Sequence, residues 1–213
     1  MSPPTPTRIQ SIDAELEARW DLPPQLQSVF VLCHPHPQHG GTMNHPLLHK
    51  VTKKLVAGGC GVLRFNFRGV GSSTGEWGDG HAEVDDVGAA MAEARQAHPD
   101  LPLGLGGWSF GAAASLTWQA REGDASPWVG IAPPVASSLT QSLPDPTELA
   151  SAPRLFALGD GDQFVTESEL SAYAESVGGE FELFEGTDHF FYFREQKLAE
   201  TVSAFLGRVL RAD

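Results

Sequence analysis

Cysteine is scarce in this chain: Cys33 and Cys60 are the only two in 213 residues. Two thiols cannot make a disulfide framework. On the strands read below, they stand at opposite ends of neighbouring parallel strands, roughly 15–20 Å apart at about 3.3 Å per residue, beyond disulfide reach. Positive charge is also short, with 14 Lys and Arg against 27 Asp and Glu, a net charge of −13, and no basic cluster. Nucleic acids and anionic membrane surfaces need concentrated Lys and Arg, so neither is an expected partner. No apolar run approaches membrane-spanning length. The opening Met1-Ser2-Pro3-Pro4-Thr5-Pro6 has neither the basic nor the apolar region of a signal peptide. With no repeat and no low-complexity tract, the expectation is one soluble, cytoplasmic domain over residues 1–213. Nothing in the pattern specifies an oligomeric state.

What is present is an alternation of short β-type runs and longer helical ones. Ser28–Cys33 is nearly all apolar, as for a strand buried on both faces. In Pro46–Ala57 the residues Leu47, Leu48, Val51 and Leu55 form one helical stripe, and Gly58-Gly59 ends it. Further strands are expected at residues 61–67, 101–106, 128–133, 154–158 and 180–184, with helices at 82–97, 110–121, 167–177 and 197–210. Residues 8–14 and 16–21 suit an antiparallel pair. Such alternation implies an α/β fold with a mostly parallel sheet of about eight strands and helices on both faces. Reactive groups should then gather at the carboxyl ends of the strands.

Gly107-Trp108-Ser109-Phe110-Gly111 stands between a strand and the helix-forming Ala112-Ala113-Ala114. A strand turning there directly into a helix would present the Ser109 hydroxyl at the tip of a strained turn. Side chains at the two glycine positions would collide with the neighbouring helix and strand. A serine hydroxyl needs a base, and the base works best beside an orienting carboxylate. Two later strand ends offer them: Gly159-Asp160-Gly161-Asp162-Gln163-Phe164-Val165, then Glu185-Gly186-Thr187-Asp188-His189-Phe190-Phe191. The chain order is serine, acid, histidine. Asp188 adjoins His189, but adjacent side chains rarely face each other, so it is read as shaping the loop.

These segments, together with His34-Pro35-His36-Pro37, Gly40-Gly41-Thr42-Met43 and residues 64–73, resemble small lidless bacterial α/β-hydrolases, similar to dienelactone-hydrolase-like esterases. The resemblance runs from about Ser28 to the C-terminus. It implies Ser109 as nucleophile, Asp162 as acid and His189 as base, with no cofactor and a small-molecule ester as the partner. Dienelactone hydrolases proper carry a nucleophilic cysteine; serine shifts the expectation to ordinary carboxylic esters. The family pattern selects Asp162 over Asp160, which is read as a turn residue bonding its own backbone. An oxyanion hole would take the amide of Phe110 and a second donor after the 29–33 strand. Pro35 and Pro37 have no N–H, leaving His36 and Gln38, and the family pattern favours His36.

Other readings compete. His34, His36 and His39 fit the spacing of a zinc hydrolase. Gln38 stands where that pattern has a carboxylate, however, and no second ligand set follows. A non-catalytic hydrolase-fold binding protein is the remaining alternative. Gly69-Val70-Gly71-Ser72-Ser73-Thr74-Gly75 superficially resembles a dinucleotide loop, but residues 76–80 continue as loop rather than opening a helix, so it is read as a tight connection under the catalytic face. Arg68 is expected to tie that loop to carbonyls or carboxylates, and Asp85 and Asp86 to favour a helix start. Trp108 and Phe190 are the candidate pocket walls. The connection over residues 135–152 leaves room for one small helix at most, which predicts an open site suited to short acyl esters.

Overall fold

The computed structural model describes residues 4–136 and 142–210. Residues 1–3, residues 137–141 of the 135–152 connection and residues 211–213 lie outside the described residues. The strands are β1 (Thr5–Ser11), β2 (Ala14–Asp21), β3 (Ser28–Cys33), β4 (Cys60–Phe65), β5 (Leu103–Trp108), β6 (Trp128–Ile131), β7 (Arg154–Gly159) and β8 (Glu180–Phe184). The helices are α1 (Pro46–Ala57), α2 (Ala82–Ala97), α3 (Phe110–Glu122), α4 (Glu167–Ser176) and α5 (Glu195–Val209). The strands form one sheet in the order β1-β2-β4-β3-β5-β6-β7-β8. From β4 to β8 all neighbours are parallel, while β2 joins β1 and β4 antiparallel.

Helices cover both faces. α1 packs on α5 and α2 on α3, which is why every residue of β3, β4 and β7 is buried. The α1 stripe read from sequence is buried as a unit. Its first turn is set by Pro46 at N1 and by the His45 ring, whose Nδ1 accepts the Leu47 N–H at 3.3 Å. α4 begins with a capping box in which Thr166 and Glu169 bond reciprocally. Ser28 pairs with Cys60 across β3 and β4, so Cys33 lies at the far end of its strand from Cys60. Both thiols are free and buried, and burial pushes Cys60 up to about 11.

Three expectations are corrected. The first hairpin turns at Ile12-Asp13, where Asp13 takes φ +56°, so Ala14 opens β2 instead of closing β1. The strands expected at 61–67 and 101–106 lie at Cys60–Phe65 and Leu103–Trp108; β5 therefore runs to the residue before Ser109. Asp86 does not serve the start of α2 as an exposed acid. Its carboxylate is fully buried and takes Nε and Nη2 of Arg68 at 3.1 and 2.7 Å, the Arg68 backbone N–H at 3.0 Å, and the Ser11 hydroxyl at 2.7 Å. Asp85 turns outward to Arg121. At the helix start it is Glu83 that accepts the N–H groups of Gly78 and Gly80.

Arg68 thus does tie its loop to a carboxylate, and through Ser11 to β1. Ser73 and Thr74 of this loop dock on the first half of β2, beyond the part that pairs with β4. The Glu15 and Glu17 N–H groups donate to the hydroxyls of Thr74 and Ser73, both at 2.8 Å. Removing one partner of a buried pair strands the other charge. Asp86→Ala is accordingly expected to cost about 3–5 kcal/mol, read as a lower urea midpoint. A loss within about 0.5 kcal/mol, as for an ordinary surface substitution, would contradict this placement.

Candidate active site

Ser109 follows β5 and precedes α3, with φ +52° and ψ −119°. A non-glycine residue there carries about 1–3 kcal/mol of strain, which the surroundings must hold in place. The turn presses against the end of β3. A Cβ built on Gly111 would lie 2.3 Å from the His34 carbonyl oxygen, and one on Gly107 would lie 2.8 Å from that of Cys33. Only glycine admits this approach. The Ser109 N–H donates to Ile131 O at 2.8 Å, anchoring the turn to the neighbouring strand. At the start of α3 the Ala112 and Ala113 N–H groups return to Ser109 O. The Phe110 amide, at the first helical position, has no carbonyl of its own helix to meet.

The two loops after β7 and β8 meet beside this turn. His189 Nδ1 and Asp162 Oδ2 are 2.7 Å apart, with the carboxylate fully buried and the ring nearly so. Asp162 Oδ1 accepts the N–H groups of Phe164 and Val165 at 2.8 and 3.0 Å, which locks its orientation. Asp160, expected to bond its own turn, instead accepts the Gly186 and Thr187 N–H groups and so clamps the β7 loop to the β8 loop. Those bonds hold its carboxyl below the usual range. Asp188 shapes its loop by accepting the Phe190 N–H. Trp108 reaches across from β5, its Nε1 donating to His189 O at 3.1 Å.

Ser109 and His189 line one cleft of about 400 Å³, together with Trp108 and Phe190. His36, His39 and Gly41 from the loop after β3 form the opposite rim, and His45 and Phe164 complete the walls. Trp108 is both core and wall: it is 1% exposed, with the His45 ring 4.5 Å from it. The Phe110 ring is buried against Phe67, Trp77 and His36, outside the cleft lining. His45 goes unnoticed in the sequence, while Gly41 is read there only as part of the Gly40-Gly41-Thr42-Met43 motif. His45 stands directly before Pro46 at the start of α1, and that place beside the motif is the available signal.

The three histidines of the zinc pattern play separate parts. His34 is fully buried, with Nε2 accepting the Phe67 N–H at 3.0 Å and Nδ1 placed 2.6 Å from Pro35 O. His36 packs against His39 and Trp77 instead. Among the described residues no group of three His, Cys, Asp or Glu could hold a metal ion. The 135–152 connection contributes, among its described residues, one 3-10 turn at Pro146–Glu148. No described helix is long and apolar enough to cross a membrane.

The sheet order, the serine turn and this open cleft define a small α/β serine hydrolase without a lid. Residues 25–151 match the family of serine aminopeptidase, S33, and the chain belongs to that family. It is similar to an uncharacterized protein of Rickettsia prowazekii (strain Madrid E), 31% identical over 188 residues that cover 84% of this chain and 78% of that one. An α/β serine hydrolase homologue from Coxiella burnetii superposes with a TM-score of 0.82 at 32% identity, covering 95% and 97% of the two chains. A lidless α/β serine hydrolase from Xanthomonas campestris gives 0.85 at 27% identity over 100% and 98%.

Burial holds His34 neutral, lowering it from the usual 6.5 to about 4. Its folded value lies below the unfolded one, so its contribution is complete above pH 6.5 and is lost as the pH falls toward 4. Over that window the wild type is expected to lose stability more steeply than His34→Gln, by up to about 1.4 kcal/mol per pH unit. Urea midpoints measured from pH 7 to 4 test this; parallel curves would contradict it.

Proposed function

We propose that this hydrolase cleaves carboxylic esters of short acyl chains, with Ser109 as nucleophile, His189 as base and Asp162 as the acid that orients it. The observation that carries the reading is the 2.7 Å contact of Asp162 Oδ2 with His189 Nδ1 beside a serine held on a left-handed turn in the same cleft. With Nδ1 engaged, Nε2 is left to take the Ser109 proton as the oxygen attacks the ester carbonyl. The Phe110 amide, at the N-terminus of α3, stabilises the oxyanion, and the His36 backbone is proposed as the second donor. His189 then protonates the departing alcohol. It next activates water, which releases the acid and restores Ser109. No step calls on a metal.

The short-chain preference rests on the open cleft and on the short β6–β7 connection, which has one 3-10 turn among its described residues. The similar structures from Coxiella burnetii and Xanthomonas campestris are described as serine hydrolases, in keeping with this chemistry.

Ser109→Ala and His189→Ala are each expected to lose at least about a thousandfold in kcat/KM on a butyrate ester. Wild-type activity should be unchanged by a metal chelator. Equal rates for wild type and Ser109→Ala would overturn the mechanism, and faster cleavage of long-chain than of acetyl and butyryl esters would overturn the substrate range.

A further inference from the structure

We infer that Phe164 and Phe190 form a subsite for an aromatic alcohol group of the ester. Arylmethyl esters are then preferred over saturated esters of the same bulk. The inference rests on the ester-hydrolase reading above and deepens it. In that reaction the departing oxygen takes its proton from His189 Nε2, so the alcohol portion must lie against whatever flanks that imidazole. The carbonyl oxygen points the other way, toward the Phe110 amide.

The groups that flank the imidazole are aromatic. The Phe164 ring meets it edge-on at 4.8 Å and 79°, and the Phe190 ring at 5.6 Å and 85°. Tyr192 stacks behind Phe190 at 5.7 Å, and Trp108 meets Phe190 edge-on at 5.8 Å. These rings are not merely core spilling outward. Phe164 and Tyr192 are each 58% exposed and are among the few large apolar side chains of the described residues left in solvent. Exposing such rings sacrifices burial energy, and a cluster of them beside a cleft marks a surface with a use.

Phe164 is also held in place. Its backbone N–H donates to Asp162 Oδ1, while Oδ2 of the same carboxylate contacts His189, so the Phe164 backbone and the imidazole share one anchor. The cleft lining contains no carboxylate, lysine or arginine among the described residues. A neutral ester therefore meets no fixed opposing charge, and a planar group finds two ring edges and faces at the spacing aromatic pairs favour. At about 400 Å³ the cleft suits a small ester with a single ring.

The test compares kcat/KM for benzyl acetate and cyclohexylmethyl acetate, which share the acyl group, a primary alkoxide leaving group and similar bulk. The wild type is expected to prefer the benzyl ester by roughly threefold to tenfold for each ring engaged. Phe164→Leu and Phe190→Leu should each pull the ratio toward one, and Phe164→Tyr, which keeps the ring, should retain it. A wild-type ratio near one, or a ratio unmoved in both leucine variants, overturns the subsite while leaving ester hydrolysis standing. If neither ester nor a butyrate ester is cleaved, the subsite and the ester reading fall together.

Discussion

The turn that carries Ser109 sits so close to the end of β3 that no side chain fits between them, and much of the molecule is arranged around that approach. With hydrogens at Gly107 and Gly111, α3 leaves β5 directly over the carbonyls of Cys33 and His34. The same contact brings the loop after β3 to the lip of the cleft, where His36, His39 and Gly41 line it with Ser109. Strain at Ser109 persists because the flanking elements are buried on both sides: β5 between β3 and β6, and α3 against α2 and the sheet. A looser junction would let the serine relax to an ordinary backbone conformation and withdraw its hydroxyl from the tip.

Beneath the cleft lies a set of buried polar bonds that stiffen the loops rather than add net stability, since buried ion pairs seldom repay their desolvation. Arg64 places Nε and Nη2 on Asp21 and Nη1 on the Met43 carbonyl. Asn66 then accepts the Met43 N–H and donates to Glu17. Met43, in the loop before α1, is thereby fixed to the end of β4 and through it to β2. His34 ties β3 to the segment after β4 through the Phe67 amide. Loops that carry reacting groups can stay exposed and yet be well placed when their roots are bound in this way.

Most of the architecture is legible in the sequence alone. The α1 stripe, the buried run of β3 and the strand–turn–helix around Ser109 are local patterns, each set by neighbours in sequence and by the steric needs of glycine and proline. His189 was legible through its strand-end loop and chain order, while Asp162 was chosen over Asp160 only by the family resemblance. Asp86 was misread because its position near a helix start has an ordinary explanation; its partner, Arg68, belongs to a different loop and announces nothing to a helix-based reading. Trp108 was expected as a pocket wall but is also core, because a large ring at a strand end can serve both and only the packing decides. Asp160 looked like a turn residue, and it took the neighbouring β8 loop to reveal what it binds.

By itself, then, the sequence determined the succession of strands and helices, the serine turn, and the types of group able to act on it, because periodicity and turn sterics operate within a few residues. The tertiary structure alone decided which groups meet: Asp162 with His189, Asp86 with Arg68, Phe164 with the imidazole. Those meetings depend on the order in which the crossovers lay the strands side by side, and on buried carboxylates finding donors from distant loops. Neither the sheet order nor a distant donor is inscribed in the residues next to the group that needs it.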